Sequence, residues 1–199
     1  MPITRTRAYH HGDLRAELLQ RAEATLRESG VDGLSLRQLA RDIGVSHAAP
    51  TRHFKDKQAL LDALAVSGFQ QLGAALETTA ACDGVGGRIR EMAQTYLRFA
   101  TENSALLELM FARRHSPAAA EAVTEAVDRA FAAPVALIAD AQARGEVIAG
   151  EPRRIALSAV AVLQGLATFI GSGVIDADTA HQLLDETTGY MLDGLRPRR

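Results

Sequence analysis

Between Ser35 and Lys57 the sequence SLRQLARDIGVSHAAPTRHFKDK admits few folds, because signals that start and stop helices follow one another at short range. Ser35 can cap a helix, and Gln38 three residues later completes a capping box. Leu36, Leu39, Ala40 and Ile43 recur at helical spacing and give that helix one buried side. Gly44 stops it, since glycine takes the left-handed conformation needed just past a helix end, and Ser46 is a suitable N-cap for a second short helix. Small side chains at Ala40 and Gly44 let two helices cross closely, which is the geometry of a helix-turn-helix.

The second helix is the one such a unit lays against DNA. At 100° per residue, Pro50 and Phe54 fall on its core side, while Ala48, Ala49 and Arg52 point outward. His47, Thr51 and His53 lie at its tip and flanks, level with groove walls and phosphates. An exposed Arg can bond a guanine edge with two hydrogen bonds, and an Ala methyl can touch the methyl of thymine. Asp56 caps the next helix and Lys57 opens its first turn, where unpaired N–H groups and the positive dipole end favour a phosphate. The candidate DNA-contact residues are Ser35, Arg37, Ser46, His47, Ala48, Thr51, Arg52, His53 and Lys57.

These motifs resemble the DNA-binding domain of the TetR family of transcriptional regulators. LSLRQLARDIGV, SHAAPTRHF and KDKQALLDAL match that family's second, third and fourth helices without a gap, and YHHGDLRAELLQRAEATLRESGVDG is similar to its first. The match is close over roughly the first third of the chain and extends over the rest only as a helical layout. Thr51 stands where the family usually carries a Tyr that contacts phosphate.

Charge is distributed to suit such a contact. The chain has 22 Lys and Arg against 24 Asp and Glu, so it is not a bulk polycation. Residues 1–57 nevertheless carry a net charge of +3 and residues 58–199 a net charge of −5, and four of the six His lie in the first segment. A modestly basic head on an acidic body fits a directed DNA contact better than the coating of nucleic acid or membrane. Arg5, Arg7, Tyr9, His10 and His11 form a polar arm that reads equally as a minor-groove contact or as a loose terminus. His10, His11 and Asp13 do not make a metal site, because adjacent His side chains diverge on a helix and no second cluster lies nearby. Cys82 is the only Cys, which excludes an intrachain disulfide and fits a reducing cytoplasm. MPITRTR lacks the apolar core of a signal peptide.

After the head, helix follows helix. The first helix buries Leu14, Leu18, Leu19, Ala22 and Leu26. A long one runs from Asp56 to about Ala81 through Leu60, Leu61, Leu64, Phe69, Leu72 and Leu76, and CDGVGG then breaks the chain. Ile89, Met92, Ala93, Tyr96, Leu97 and Ala100 mark a further helix, and Leu106, Leu107, Leu109, Met110 and Phe111 a short apolar one. Ser116 and Pro117 suit an N-cap and first position, Pro134 kinks or divides the helix that follows, and Gly145 closes it. Pro152 and Asp176 open the last two. Residues 155–175 carry no charge, a length that could span a membrane; Ser158, Gln164, Thr168 and Ser172, with many Ala, favour a helix buried in a soluble oligomer instead.

Strand alternation, phosphate loops, zinc spacings and nucleophile motifs are absent, so no catalytic residue, cofactor or metal is expected. The expected fold is all-α, with a DNA-binding head over 1–57 and a ligand-binding and dimerisation body over 58–199. The resemblance implies a cytoplasmic homodimer on a pseudo-palindromic operator, most often a repressor released by a small-molecule effector. It further implies a cavity among the middle helices, for which Met92, Tyr96, Phe99, Met110, Phe111, His115 and Phe131 are the candidate lining. The uncharged face through Ala156, Ala159, Val160, Leu163 and Ala167, with Leu184 and Met191 on the last helix, is the candidate dimer contact. Two alternatives stand beside this reading: an all-helical enzyme or carrier, and a regulator that is corepressed or needs no effector.

Overall fold

The computed structural model describes residues 13–79, 84–113 and 120–197. The polar arm, Cys82, His115, and the Ser116–Pro117 pair lie outside them. Nine α-helices fill the described residues: α1 (Asp13–Ser29), α2 (Leu36–Asp42), α3 (Lys57–Glu77), α4 (Gly84–Glu102), α5 (Ser104–Arg113), α6 (Ala120–Ala130), α7 (Ala132–Ala143), α8 (Pro152–Gly171) and α9 (Ala177–Leu195), with a 3₁₀ turn at Pro50–Arg52.

α3 is the axis of the molecule. Ten of its 21 residues are buried, among them Leu60, Leu64, Phe69 and Leu72 with no exposed surface. It packs against α1, α4, α5, α6 and α7. Two glycines set its closest crossings. A Cβ on Gly68 would stand 2.5 Å from the sulfur of Met110 on α5, and one on Gly73 would stand 3.0 Å from Cα of Ala130 on α6. Glycine at the first point makes room for the Met110 side chain, and at the second it brings the α3 backbone against that of Ala130.

Helix ends follow the local chemistry. Asp56 accepts from the backbone N–H of Ala59 at 2.8 Å, Asp176 from that of Thr179 at 2.8 Å, and Glu151 from Arg153 and Arg154 ahead of Pro152. Gly145, at φ 70°, terminates α7, where Glu146 N–H returns to the carbonyl of Ala141. Pro134 divides the Ala-rich stretch as expected. Its ring would collide with the carbonyl of Ala130 in a continuous helix, and the chain breaks at Phe131.

Three local expectations are corrected. The capping box does not form: Ser35 makes no side-chain cap bond, and Gln38, instead of reaching back, donates to Asp42 at 2.6 Å and accepts from Arg41 through Oε1. The long helix ends at Glu77 rather than near Ala81. Gly84 to Gly87 form the first turn of α4 instead of a break, packed at Gly86 against Leu192 of α9.

The core is one cluster reaching from α1 to α9, with a small satellite of Ile138, Ala141 and Val147. Leu18 sits in the head side of that cluster with no exposed surface. Leu18→Ala is expected to cost ~2–5 kcal/mol, read from the urea midpoint at unchanged m-value.

Candidate nucleic-acid interface and interior cavity

α1 and α2 hold the head together through Asp42. Its carboxylate accepts from Arg21 at 2.9 Å across the two helices and from Gln38 one turn back. Those two hydrogen bonds, the one from Arg21 first, hold the Asp42 carboxyl below its ordinary value. Sequence spacing pointed to none of this, since Arg21 and Asp42 lie 21 positions apart on different helices.

The segment expected to be the reading helix winds more tightly than an α-helix. Ala49 N–H bonds to the Ser46 carbonyl at 2.9 Å, Arg52 N–H to Ala49 at 3.3 Å and His53 N–H to Pro50 at 3.0 Å, all three residues apart. Pro50 is the cause, for it has no N–H to complete an α-helical bond to Ser46. Ser46 therefore caps no α-helix. Pro50 and Phe54 are buried as their spacing demanded, and Arg15 of α1 lies over the Phe54 ring at 5.5 Å. Ala49 is corrected: it is half-buried against the core, not turned outward.

The candidate contact residues fall on the surface of this unit. Ser35, Arg37, Ser46, His47, Ala48, Thr51 and Arg52 are exposed, and His53 and Lys57 are half-exposed. Lys57 is the first residue of α3, directly after its Asp56 cap. The Thr51 hydroxyl donates to the carbonyl of Ala48 at 2.9 Å, so its proton is already engaged and is not aimed at a phosphate.

In the body, an apolar cavity of about 70 Å³ lies among α3, α4, α7, α8 and α9. Met92, Tyr96 and Phe131 of the candidate lining border it. Phe111 borders a second void of about 60 Å³ instead, and its ring meets Phe69 edge-on at 6.0 Å. Phe99 and Met110 line neither void and are core. Tyr96 donates its hydroxyl to Gln164 of α8 at 2.5 Å, and burial pushes its phenol well above the ordinary value, so the cavity wall stays uncharged.

The face read from sequence as a dimer contact is turned inward. Ala156, Ala159, Val160, Leu163 and Met191 line the cavity, Ala167 packs on the core, and Leu184 is buried. Both sides of α8 are apolar, so periodicity could not say which one the subunit keeps for itself. The outer side shows Leu157, Val162 and Phe169, joined by Val174 and Tyr190.

The C-terminal half matches the family model for the tetracycline repressor-like C-terminal domain over residues 89–195, and the head matches that of bacterial regulatory proteins of the tetR family over residues 18–64. The chain belongs to the TetR family. A protein of unknown function from Rhodococcus sp. RHA1 is 45% identical over 96% of this chain and 100% of its own, with a TM-score of 0.87. A TetR-family transcription regulator from Shewanella sp. PV-4 shares the fold at 18% identity and a TM-score of 0.73, covering 92% of this chain and 98% of that one. The class D tetracycline repressor of Escherichia coli is 44% identical over 52 residues, which is 26% of this chain and 24% of that repressor. That similarity is thus confined to about a quarter of the repressor's length.

Removing the Tyr96 hydroxyl deprives Gln164 of its donor. Tyr96→Phe is expected to lower stability by about 1 kcal/mol, measured by urea unfolding, while leaving the helical circular dichroism unchanged.

Proposed function

We propose that this TetR-family chain is a DNA-binding transcriptional regulator, a cytoplasmic homodimeric repressor released from a pseudo-palindromic operator by a small-molecule effector. Residues 1–57 are the reading head and residues 58–199 the effector and dimer body. One observation carries the reading. α3 starts in the head with Lys57 and, without interruption, borders both interior voids through Phe69 and Leu76. A ligand that changes the packing around Phe69 and Leu76 acts on the same rigid element that places Lys57. Two heads must sit about 34 Å apart to enter successive major grooves. A ligand preferring another spacing lowers DNA affinity by its differential affinity, and DNA weakens the ligand equally. The family match favours a regulator over an all-helical enzyme or carrier.

Within the head, Arg52 is assigned to a base edge and Lys57 to a phosphate. On an operator selected from a random duplex pool, Arg52→Ala should cost ~1–3 kcal/mol and relax preference at one position. Lys57→Ala should weaken all sequences alike and reduce the salt slope by about one. Wild-type affinity and salt dependence in both variants would overturn the assignment. Operator affinity with and without effector separates release from corepression and from effector-independent binding.

The dimer contact is assigned to the outer side of α8 with α9. Leu157, Ala161, Gly165 and Phe169 are exposed at four-residue spacing, large at both ends and small in the middle, a ridge suited to close helix crossing at a two-fold axis. α3 and α8 are both long and apolar enough to cross a membrane by length and composition. α3 is spent on the core, and for α8 a partner helix accounts for the apolar outer side. Phe169→Glu is expected to give monomers in sedimentation at micromolar concentration with helicity retained; a dimer as tight as wild type would place the contact elsewhere.

A further inference from the structure

The two interior voids share three lining residues, Phe131, Ala156 and Val160, so these side chains border both. Of the three, only Phe131 carries a ring. It sits at the break between α6 and α7, half-buried, at φ −99° and ψ 7°, its N–H bonded to Val127 of α6 and its carbonyl to Val135 of α7, each at 3.1 Å, so the residue is the joint between the two helices. Each void alone, about 70 and about 60 Å³, is far below the space a ligand of ordinary size needs, roughly 300 Å³ or more. The Phe131 ring lines both, so a ligand that spans the two voids must take the place of that ring.

The chemistry of the wall is narrow. Among the described residues lining the first void, Tyr96 alone has a side-chain oxygen, and its proton is given to Gln164. The second void has one charged neighbour, Arg153, which is ion-paired with Asp128 at 2.5 Å. A charged ligand would therefore lose its hydration with no unpaired opposite charge to meet it. The residue before Phe131 completes the arrangement: Ala130 lies against Gly73 of α3 with only 3.0 Å available for a Cβ. Displacement of the Phe131 segment therefore presses on the α3 backbone directly, with no side chain to absorb it.

We infer that the effector is an uncharged, elongated apolar molecule that joins the two voids by displacing the Phe131 ring, and that the displacement reaches the DNA head through the Ala130–Gly73 contact. This rests on the regulator reading above for its last step only; the binding step stands without DNA.

The probe is N-phenyl-1-naphthylamine, which fluoresces in apolar surroundings, set beside 8-anilinonaphthalene-1-sulfonate, the same ring framework with one sulfonate added. The neutral probe should bind the full-length protein saturably, one per subunit, at least tenfold more tightly than the sulfonate. Phe131→Ala should tighten neutral-probe binding at least fivefold, with Phe131→Leu between it and wild type. Ala159→Leu, which fills the first void, should weaken it at least tenfold in a protein of unchanged helicity. That variant separates cavity binding from binding at the outer apolar face. No saturable binding, equal affinity for the sulfonate, or a Phe131→Ala affinity within twofold of wild type overturns the inference. For the last step, saturating neutral probe should weaken operator binding, and Gly73→Ala should cut that effect at least fivefold while probe affinity stays within twofold. An unchanged effect in Gly73→Ala, or none in wild type, overturns the route. Failure of the wild type to select any operator would instead overturn the regulator reading, with the probe measurements still deciding the gate.

Discussion

Everything in this fold leans on the contact of α3 with its neighbours at two glycines. Gly68 admits Met110 of α5, where a Cβ would stand only 2.5 Å from the sulfur, and Gly73 admits the backbone of Ala130 at the end of α6, where a Cβ would make a tight contact at 3.0 Å. Close packing of this kind transmits displacement, since interiors are nearly incompressible and a backbone has no rotamer to relax into. Around these crossings the long apolar residues Leu60, Leu64, Phe69 and Leu72 supply the burial, each of the order of 1.5–3 kcal/mol. A helix held so tightly is a suitable lever between two functions.

The head at the start of that lever is built from small economies of geometry. Pro50 denies the chain one N–H, and the segment from Ser46 to His53 answers with bonds of three-residue span. The consequence is a tight coil whose buried side, Pro50 and Phe54, is still correct, while Ala49 rotates inward. Asp42 is the counterpart on the other side. By accepting from both Arg21 and Gln38 it fixes α2 against α1 without a buried charge.

The body uses one rule twice. α8 is apolar on both sides, one toward the cavity and one outward, and the same lack of charge that makes it look like a membrane span lets it serve an interior void and an exposed ridge at once. α6 and α7 show a similar doubling. Pro134 makes the break, and the break places a single ring, Phe131, at the border of both voids.

Much of this was legible in the residues themselves. Local signals of cap, stop and period depend on neighbours a few positions away, so Asp56, Pro134, Gly145, Pro152 and Asp176 marked helix ends that the chain adopts. The all-helical class and the exposed polar surface of the head followed from the same short-range rules. What tertiary structure decided were choices between equals. Asp42 could face solvent or another helix, and Arg21 of α1 meets it across the head, beside the Gln38 bond within α2. Ala156, Val160 and Leu163 could face a partner subunit or their own, and the packing of α4 and α7 on α8 turned them inward. Met110 and Phe99 could line a cavity or fill the core, and the gap left by Gly68 drew Met110 into the core. Periodicity names an apolar side but not its occupant, because the occupant comes from residues dozens of positions distant.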